Sequence, residues 1–361
     1  MKDDKISLDT ILIGDCINIL EGLPEASADL IFADPPYYLQ LSRELYRPNM
    51  TKVDAVHDDW DKFTNFMEYD NFTRNWLSAC RRVLKDTGTL WVIGSYHNIY
   101  RVGTILQDLG YWILNDIVWI KDNPMPNFHG VRFTNAHETL IWVQKKKGAK
   151  YTFNHHAMKT LNGDLQMRSD WHFPLCTGTE RIRHNGEKVH ATQKPEGLLY
   201  RILLASSNPG DLVLDPFFGT GTTGAVAKKL GRHFIGIENN PDYVRVAQER
   251  INAVTPISAN ALITSEKRST PRVPFGALLE SGLLQPGQIL TFARDKAITA
   301  IVQADGQIQT ANMRGSIHSI AKSLMEGSPA NGWDLWMFEE NGQNKSINVL
   351  RQRIQPQGNN Q

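Results

Sequence analysis

Ala28-Asp-Leu-Ile-Phe-Ala33, running straight into Asp34-Pro-Pro-Tyr37, is the stretch on which the reading of this chain turns. The first six residues form an apolar run, the pattern of a buried parallel strand. A turn at the carboxyl end of such a strand lies where open α/β sheets bind ligands. Two consecutive prolines fix φ and donate no hydrogen bond, so the turn is stiff and the Pro35 carbonyl can accept. Asp34 adds a carboxylate acceptor, and Tyr37 adds a flat ring. Two acceptors beside a stacking face suit an exocyclic amino group on a planar base. A strand-ending turn with a capping Asp accounts for the same residues, so the tetrapeptide alone does not decide the chemistry.

A second stretch changes the balance. Val213-Leu-Asp-Pro-Phe-Phe-Gly-Thr-Gly-Thr-Thr-Gly224 follows a short apolar strand and opens a helix over Thr222 to Leu230. Its glycines let the backbone turn tightly, and the helix N–H groups point at whatever lies in the turn. The next strand, His233 to Glu238, ends in an acid, the place from which ribose hydroxyls are gripped. Gly219, Gly221 and Gly224 also fit the dinucleotide fingerprint of a nicotinamide dehydrogenase, but that reading leaves Asp34 to Tyr37 without a role. An inactive DNA-binding subunit is argued against by the intact tetrapeptide.

DPPY together with DPFFGTG resembles the amino-group DNA methyltransferases that use S-adenosylmethionine (SAM). DPPY precedes the glycine loop by about 180 residues, the motif order of the β class. The details are similar to the cell-cycle-regulated, CcrM-like adenine-N6 enzymes of alphaproteobacteria, over nearly the whole chain. The resemblance implies a doubly wound, mostly parallel, Rossmann-like α/β sheet with permuted motif order, plus a small α+β C-terminal domain. It implies methyl transfer from SAM to N6 of adenine in duplex DNA by base flipping, at GANTC sites. Asp34, Pro35, Pro36 and Tyr37 would be catalytic: Asp34 and the Pro35 carbonyl hold the amino group, and Tyr37 stacks on the base. Cytosine-N4 enzymes more often carry Ser in place of Asp34, and related motifs with Asn serve protein or RNA substrates; these are the alternatives.

For SAM itself, the resemblance puts Asp15 and Cys16 at the adenine edge of the pocket. Asp215, Phe217, Phe218, Gly219, Gly221, Thr222, Glu238 and Asn239 form the nucleoside cradle with Asp34. His190-Ala-Thr-Gln-Lys-Pro195 opens a helix over Glu196 to Ser206. Polar groups at a helix N-terminus can hold a carboxylate, so His190, Thr192, Gln193 and Lys194 are candidates for the methionine end. The family usually shows HPTQKP here, and Ala191 replaces its first proline.

At 361 residues the chain can hold one large domain and a smaller one. The expected division is a methyltransferase domain over 1–254 with a target-recognition insertion at about 121–190, a Ser/Thr/Pro-rich linker over 255–274, and a small unit over 275–361 that reads as a dimerisation or DNA-binding module and that the resemblance makes DNA-binding. No apolar run approaches a membrane span, and three scattered cysteines suggest a reduced, cytoplasmic setting, nucleoid-associated through DNA. Histidine and cysteine spacing supports no metal. A homodimer is left open. Net charge is +1, but residues 1–70 hold 15 acids against 6 bases, and 145–201 hold 11 bases against 5 acids. A basic middle is where a phosphate backbone is drawn.

Along the chain, Thr10 to Gly14 reads as a strand, Asn71 to Leu84 as a helix and Thr89 to Ile93 as a strand. Ile99 to Leu109 reads as a helix, then Trp112 to Ile120 and Glu138 to Gln144 as strands. Leu39 to Asp70 reads as a long loop, whose Leu39, Leu41, Leu45, Tyr46, Arg47 and Trp60 are candidate contacts to the base or duplex. Between Lys121 and Tyr200 the alternation breaks down. Asn123, Arg132, Lys145, Arg168, Arg181, Arg183, His184 and Lys188, interleaved with aromatics, are candidate DNA contacts there. Pro241 to Ala253 is the last helix of the large domain. In the C-terminal unit the resemblance offers Arg314, Ser316, Asn331 and Trp333 as DNA contacts, while Trp333 on its own reads as core. The polar tail from Gln355 is expected to be disordered.

Overall fold

In the computed structural model the apolar runs become strands of one sheet. The structure describes residues 7–39, 61–127, 130–184, 187–190, 192–264, 273–328 and 330–354. The chain divides into two units, Met1–Ser265 and Glu266–Gln361.

The first unit runs β1 (Thr10–Ile13), α1 (Cys16–Gly22), β2 (Ala28–Ala33), α2 (Phe66–Val83), β3 (Leu84–Gly94), α3 (Ile99–Asp108), β4 (Trp112–Lys121) and β5 (His137–Gln144). It continues α4 (His155–Leu161), β6 (Asp170–Phe173), β7 (Arg183–His184), β8 (Glu187–Lys188), α5 (Glu196–Ser206), β9 (Leu212–Asp215), α6 (Thr222–Lys229), β10 (His233–Glu238) and α7 (Pro241–Ala253). Eight strands form the central sheet in the order β1-β10-β9-β2-β3-β5-β4-β6. All neighbours are parallel except where β5 lies antiparallel between β3 and β4. The doubly wound, mostly parallel fold is therefore the one observed.

Two cores explain why the central strands β2 and β9 are apolar almost throughout. One packs Leu20, Trp76, Leu77, Val102 and Leu106 from α1, α2 and α3 on one side of the sheet. The other packs Leu198, Ile202, Val226 and Ile251 from α5, α6 and α7 on the opposite side. With helices on both faces, a strand has no solvated side to mark with polar residues. From β2 the chain leaves toward β3, and from β9 toward β10, in opposite directions across the sheet. The carboxyl ends of β2 and β9 thus flank the point where strand order reverses, the ligand crevice of open sheets.

Several expectations need correction. The helix expected from Asn71 starts at Phe66, because the Asn65 side chain accepts from Glu68 N–H at 2.9 Å while the Glu68 carboxylate accepts from Thr64 N–H at 2.7 Å. That cap, with the Glu68 carboxylate reaching back to the residue before Asn65, sets the first turn earlier and shortens the expected loop. The segment read as irregular contributes β6, which pairs parallel with β4 from Val118↔Asp170 to Lys121↔Phe173. Its Trp171 is buried against Trp91 at 5.9 Å between ring centres. The start of the expected linker is not free chain: Ile257 N–H donates to Lys229 C=O at 3.0 Å, and Leu262 packs on the second core.

The second unit runs α8 (Gly276–Glu280), β11 (Ile289–Phe292), β12 (Asp295–Val302), β13 (Ile308–Gln309), β14 (Arg314–Gly315), α9 (Ile317–Leu324), α10 (Gly332–Leu335), β15 (Trp336–Glu340), β16 (Gln343–Ser346) and α11 (Asn348–Ile354). Its six strands form an antiparallel sheet, β14-β13-β12-β11-β15-β16. Trp333, Trp336, Phe292 and Leu350 share its core. The polar tail expected to be disordered lies outside the described residues.

Candidate functional site

A cavity of about 710 Å³ opens at the reversal point, and both Asp34 and Gly219 line it. The two motifs, far apart in sequence, therefore meet over one space. Asp15, Cys16, His190, Thr192, Phe217, Glu238 and Asn239 also line it.

The glycine loop is built to bend. Gly219 and Gly221 have φ of +53° and +77°, the left-handed region that disfavours a side chain. Asp215 anchors the bend, accepting from Phe217 N–H at 2.9 Å and Thr223 Oγ1–H at 2.6 Å. Burial pushes its carboxyl up to about 7. Glu238, at the end of β10, accepts from Gly219 N–H and from Asn240 N–H, both at 2.8 Å, one on each oxygen. Each carboxylate oxygen keeps a further lone pair for a hydroxyl. A Cβ at Gly219 would stand 3.5 Å from His190 Nε2, in the gap between the two loops. A glycine-lined cradle with an acid at its edge fits the nucleoside of SAM.

The tetrapeptide is held from three sides. Tyr69 Oη–H donates to Pro36 C=O at 3.0 Å, so it is the Pro36 carbonyl that ties the turn to α2. Asp61 accepts from Tyr38 N–H at 2.7 Å and Leu39 N–H at 2.9 Å, which stabilises Tyr38 at its φ of +53°. Tyr37 Oη–H lies 3.0 Å from Asp34 Oδ1 and 3.1 Å from Glu138 Oε2, one hydrogen facing two acceptors. Lys194 Nζ reaches Asp34 Oδ2 at 2.7 Å, and Lys121 Nζ reaches Glu138 Oε1 at 2.9 Å. Burial raises the Asp34 carboxyl above the usual carboxylate range, against the pull of Lys194. Burial opposes the charge on Lys194, but Asp34 and Glu138 outweigh it and hold its pKa high.

At the expected methionine end, Gln193 and Lys194 also have partners within the fold. Lys194 sits on Asp34, and Gln193 is consumed by the fold: it accepts from Ile182 N–H at 3.0 Å and donates to Glu180 C=O at 2.9 Å. The N-terminus of α5 does take a carboxylate, but it is that of Glu180, on Glu196 N–H. His190, Thr192, Gln193 and Lys194 all line the cavity wall. Thr222 lines it too, with Arg250 donating to its hydroxyl at 2.8 Å. Phe218 also borders the cavity, yet its ring is buried beneath the loop, stacked on Phe234 at 5.9 Å. Asp15 caps α1 through Asn18 N–H at 3.0 Å. Burial pushes the Cys16 thiol up to about 12, so it stays neutral.

His190 gives a pH test. Burial, then Lys194 and Arg181, pull its pKa from 6.5 down to about 4. The unfolded chain therefore binds the proton more readily between those values, and native stability is lost as pH falls through them. Relative to His190→Asn, wild-type stability is expected to rise from pH 4 to 6.5 and level off above. Denaturant melts across that range check it.

Of the candidate DNA contacts, Leu39 lines the cavity. Leu41, Leu45, Tyr46, Arg47 and Trp60 lie outside the described residues, as does the side chain of His184. Lys145 is corrected to a structural residue: its Nζ donates to Leu84 C=O at 2.6 Å and its side chain is 12% exposed. Asn123 accepts from Leu175 N–H at 2.7 Å. Arg181 donates to the carbonyls of Cys176 and His190 at 3.0 and 2.9 Å. Arg132 bonds Tyr96 Oη at 2.9 Å, and exposed Arg168 pairs with Asp170 through two 2.9 Å contacts. Arg183 and Lys188 are register partners in the antiparallel pair of β7 and β8. In the second unit Arg314 pairs with Asp305 at 2.8 Å, while Ser316 and Asn331 cap α9 and α10. Trp333 is corrected from a DNA contact to a core residue, since it is 5% exposed.

Glu138, Lys121 and Asp61 escaped the sequence reading. Among the described residues no group of three or more His, Cys, Asp or Glu could hold a metal ion, and no helix is long and apolar enough to cross a membrane.

Residues 28–249 match the N6_N4_Mtase family, described as DNA methylase, and residues 258–358 match RAMA, described as Restriction Enzyme Adenine Methylase Associated. The chain is 48% identical over 345 residues to the type II methyltransferase M.HinfI of Haemophilus influenzae, covering 95% of this chain and 96% of that one. It is 43% identical over 239 residues to the type II methyltransferase M2.LlaDCHI of Lactococcus lactis subsp. cremoris, covering 66% and 87%. Among solved structures, the cytosine-N4-specific PvuII DNA methyltransferase matches with a TM-score of 0.52 at 22% identity, covering 72% of this chain and 91% of that one. That likeness is one of fold.

Proposed function

The chain belongs to the N6_N4_Mtase family of SAM-dependent DNA methylases, and from that premise we propose that it methylates N6 of adenine in duplex DNA. The observation that carries the reading is the single cavity shared by Asp34 and Gly219. Both adenine N6 and cytosine N4 are exocyclic amino groups, so the two acceptors alone do not choose between them. Adenine is favoured by Asp rather than Ser at position 34, and by the adenine-methylase-associated match of the C-terminal unit. A GANTC target and the cell-cycle type rest on the sequence resemblance.

In this reading Gly219, Gly221 and Glu238 hold the nucleoside of SAM, Asp15 and Cys16 border it, and His190 and Thr192 face its methionine end. SAM supplies a methyl group already activated on a sulfonium. The chain's residues therefore chiefly position the acceptor. The amino nitrogen is a poor nucleophile because its lone pair is delocalised into the ring. Asp34 and the Pro35 carbonyl, by accepting its two N–H bonds, pull the nitrogen toward tetrahedral geometry and free that pair, and Asp34 stabilises the positive charge that develops on nitrogen. The target base must leave the stack, at a cost of about a few kcal/mol, which the basic middle and the C-terminal unit offset through DNA binding.

The test is direct. Duplex DNA incubated with the protein and methyl-labelled SAM, then digested to nucleosides, is expected to carry label as N6-methyldeoxyadenosine. Label in N4-methyldeoxycytidine, or in RNA or protein instead, overturns the adenine reading. Mapping the methylated positions tests GANTC.

A further inference from the structure

Glu138 is largely enclosed, charged and without a role in the scheme above. It stands at the head of β5, where it pairs in register with Trp119. Because β5 runs against its neighbours, its first residues lie beside the carboxyl ends of β3 and β4. The reversed strand thus delivers an acid to the same rim as Asp34. Side-chain exposures there are 7% for Lys194, 9% for Lys121, 11% for Glu138 and 17% for Asp34. Two carboxylates and two ammonium groups balance, with the Tyr37 hydroxyl between the carboxylates.

We propose that Glu138 is a positioning residue for methyl transfer: it fixes the Tyr37 hydroxyl and shares the Lys194 ammonium, so that Asp34 can change its charge without losing its place. The proposal rests on the reading that Asp34 receives the adenine amino group. In that reaction the N6 lone pair forms the new N–C bond. The C–S bond breaks with its electron pair going to sulfur, and the nitrogen then gives one N–H proton to Asp34. Protonated Asp34 no longer neutralises Lys194, whose contact with it is 2.7 Å. Glu138, 3.9 Å from the same Nζ, is then the carboxylate that keeps this buried ammonium paired. Lys121 keeps Glu138 itself ionised from its other oxygen. Without the Glu138 charge, a proton on Asp34 would leave Lys194 buried and unpaired, which is costly.

The sign of a pH effect follows. Asp34 is faced by Tyr37 from its own turn, Lys194 from the loop before α5, Glu138 from β5 and Asp215 from the end of β9. Glu138 is faced by Tyr37, Lys194 and Lys121. The negative charge of Glu138 raises the Asp34 carboxyl, so removing that charge lowers it.

The experiment uses Glu138→Gln in the full chain, with duplex DNA and labelled SAM. The glutamine keeps the shape and one oxygen acceptor. Expected are a kcat lower by about tenfold or more, KM values for DNA and SAM within about twofold, and an acidic limb of kcat displaced to lower pH. A wild-type kcat overturns the proposal. So does a lower kcat with an unmoved acidic limb, which would mark Glu138 as a packing residue. The adenine reading fails by a different sign: wild-type protein would leave adenine unlabelled, or Asp34→Asn would turn over like wild type.

Discussion

Asp34→Ala is expected to reduce methyl transfer by about 10³-fold or more, as the loss of a group aimed at developing charge does, while SAM binds within about threefold of wild type. The division follows from where the parts sit. The cradle is built from Gly219, Gly221 and Glu238, and Glu238 holds the loop through Gly219 N–H at 2.8 Å without help from Asp34. The acceptor corner, by contrast, is Asp34 itself. Removing it also deprives Lys194 of its nearest counter-ion, and an orphaned buried charge costs about 3–5 kcal/mol. Glu138 lies 3.9 Å from Lys194 Nζ, so the loss of stability should fall below that range. Rate assays, equilibrium SAM binding and thermal melts on one preparation separate the three quantities. A variant that turns over like wild type would remove Asp34 from the reaction. A variant that no longer binds SAM would mean that the two ends of the cavity are not independent.

How much of this was legible in the sequence depends on how locally each feature is encoded. Ala28 to Tyr37 and Val213 to Gly224 announce themselves, because a doubly buried strand must be apolar and its loop must carry Pro or Gly. Their order and the acid at Glu238 were legible for the same reason. Glu138 was not, because its importance lies in the direction of β5, and an apolar run reads the same whichever way it points. The contact of Lys194 with Asp34 was hidden behind a general rule: the start of α5 does take a carboxylate, but Glu180 supplies it. Asp61 is invisible without the fold, since its partners are the backbone N–H groups of Tyr38 and Leu39, 23 and 22 residues away. Strand β6 is four residues long, too short for a period to show. One missed signal was present. Asn341-Gly342, with φ of +53° and +72°, turns β15 into β16, and Asn-Gly is the strongest short hairpin signal.

Gly236→Ala tests the base of the cradle rather than its rim. Gly236 lies in β10, paired with Asp215 of β9, and a Cβ there would stand 2.4 Å from atoms of the Phe218 ring. The ring has nowhere to retreat. It is stacked on Phe234 at 5.9 Å, and it already lies where a Cβ on Gly224 would meet it at 2.5 Å. The backbone above is equally confined, since a Cβ at Gly221 would stand 2.8 Å from that of Ala247 on α7. Overpacking of a confined core costs about 1–3 kcal/mol, and this site belongs at the upper end. Because Phe218 is itself a loop residue, the strain passes directly to the Gly219–Gly221 bend. SAM affinity is therefore expected to fall by about tenfold or more, about 1.4 kcal/mol, with DNA binding unchanged. Trimming the ring in Gly236→Ala/Phe218→Leu should return part of both losses. That coupling between contacting residues is non-additive by nature. Additive losses in the double variant would mean that the ring does not transmit the strain, and that the glycine is required by the strand alone.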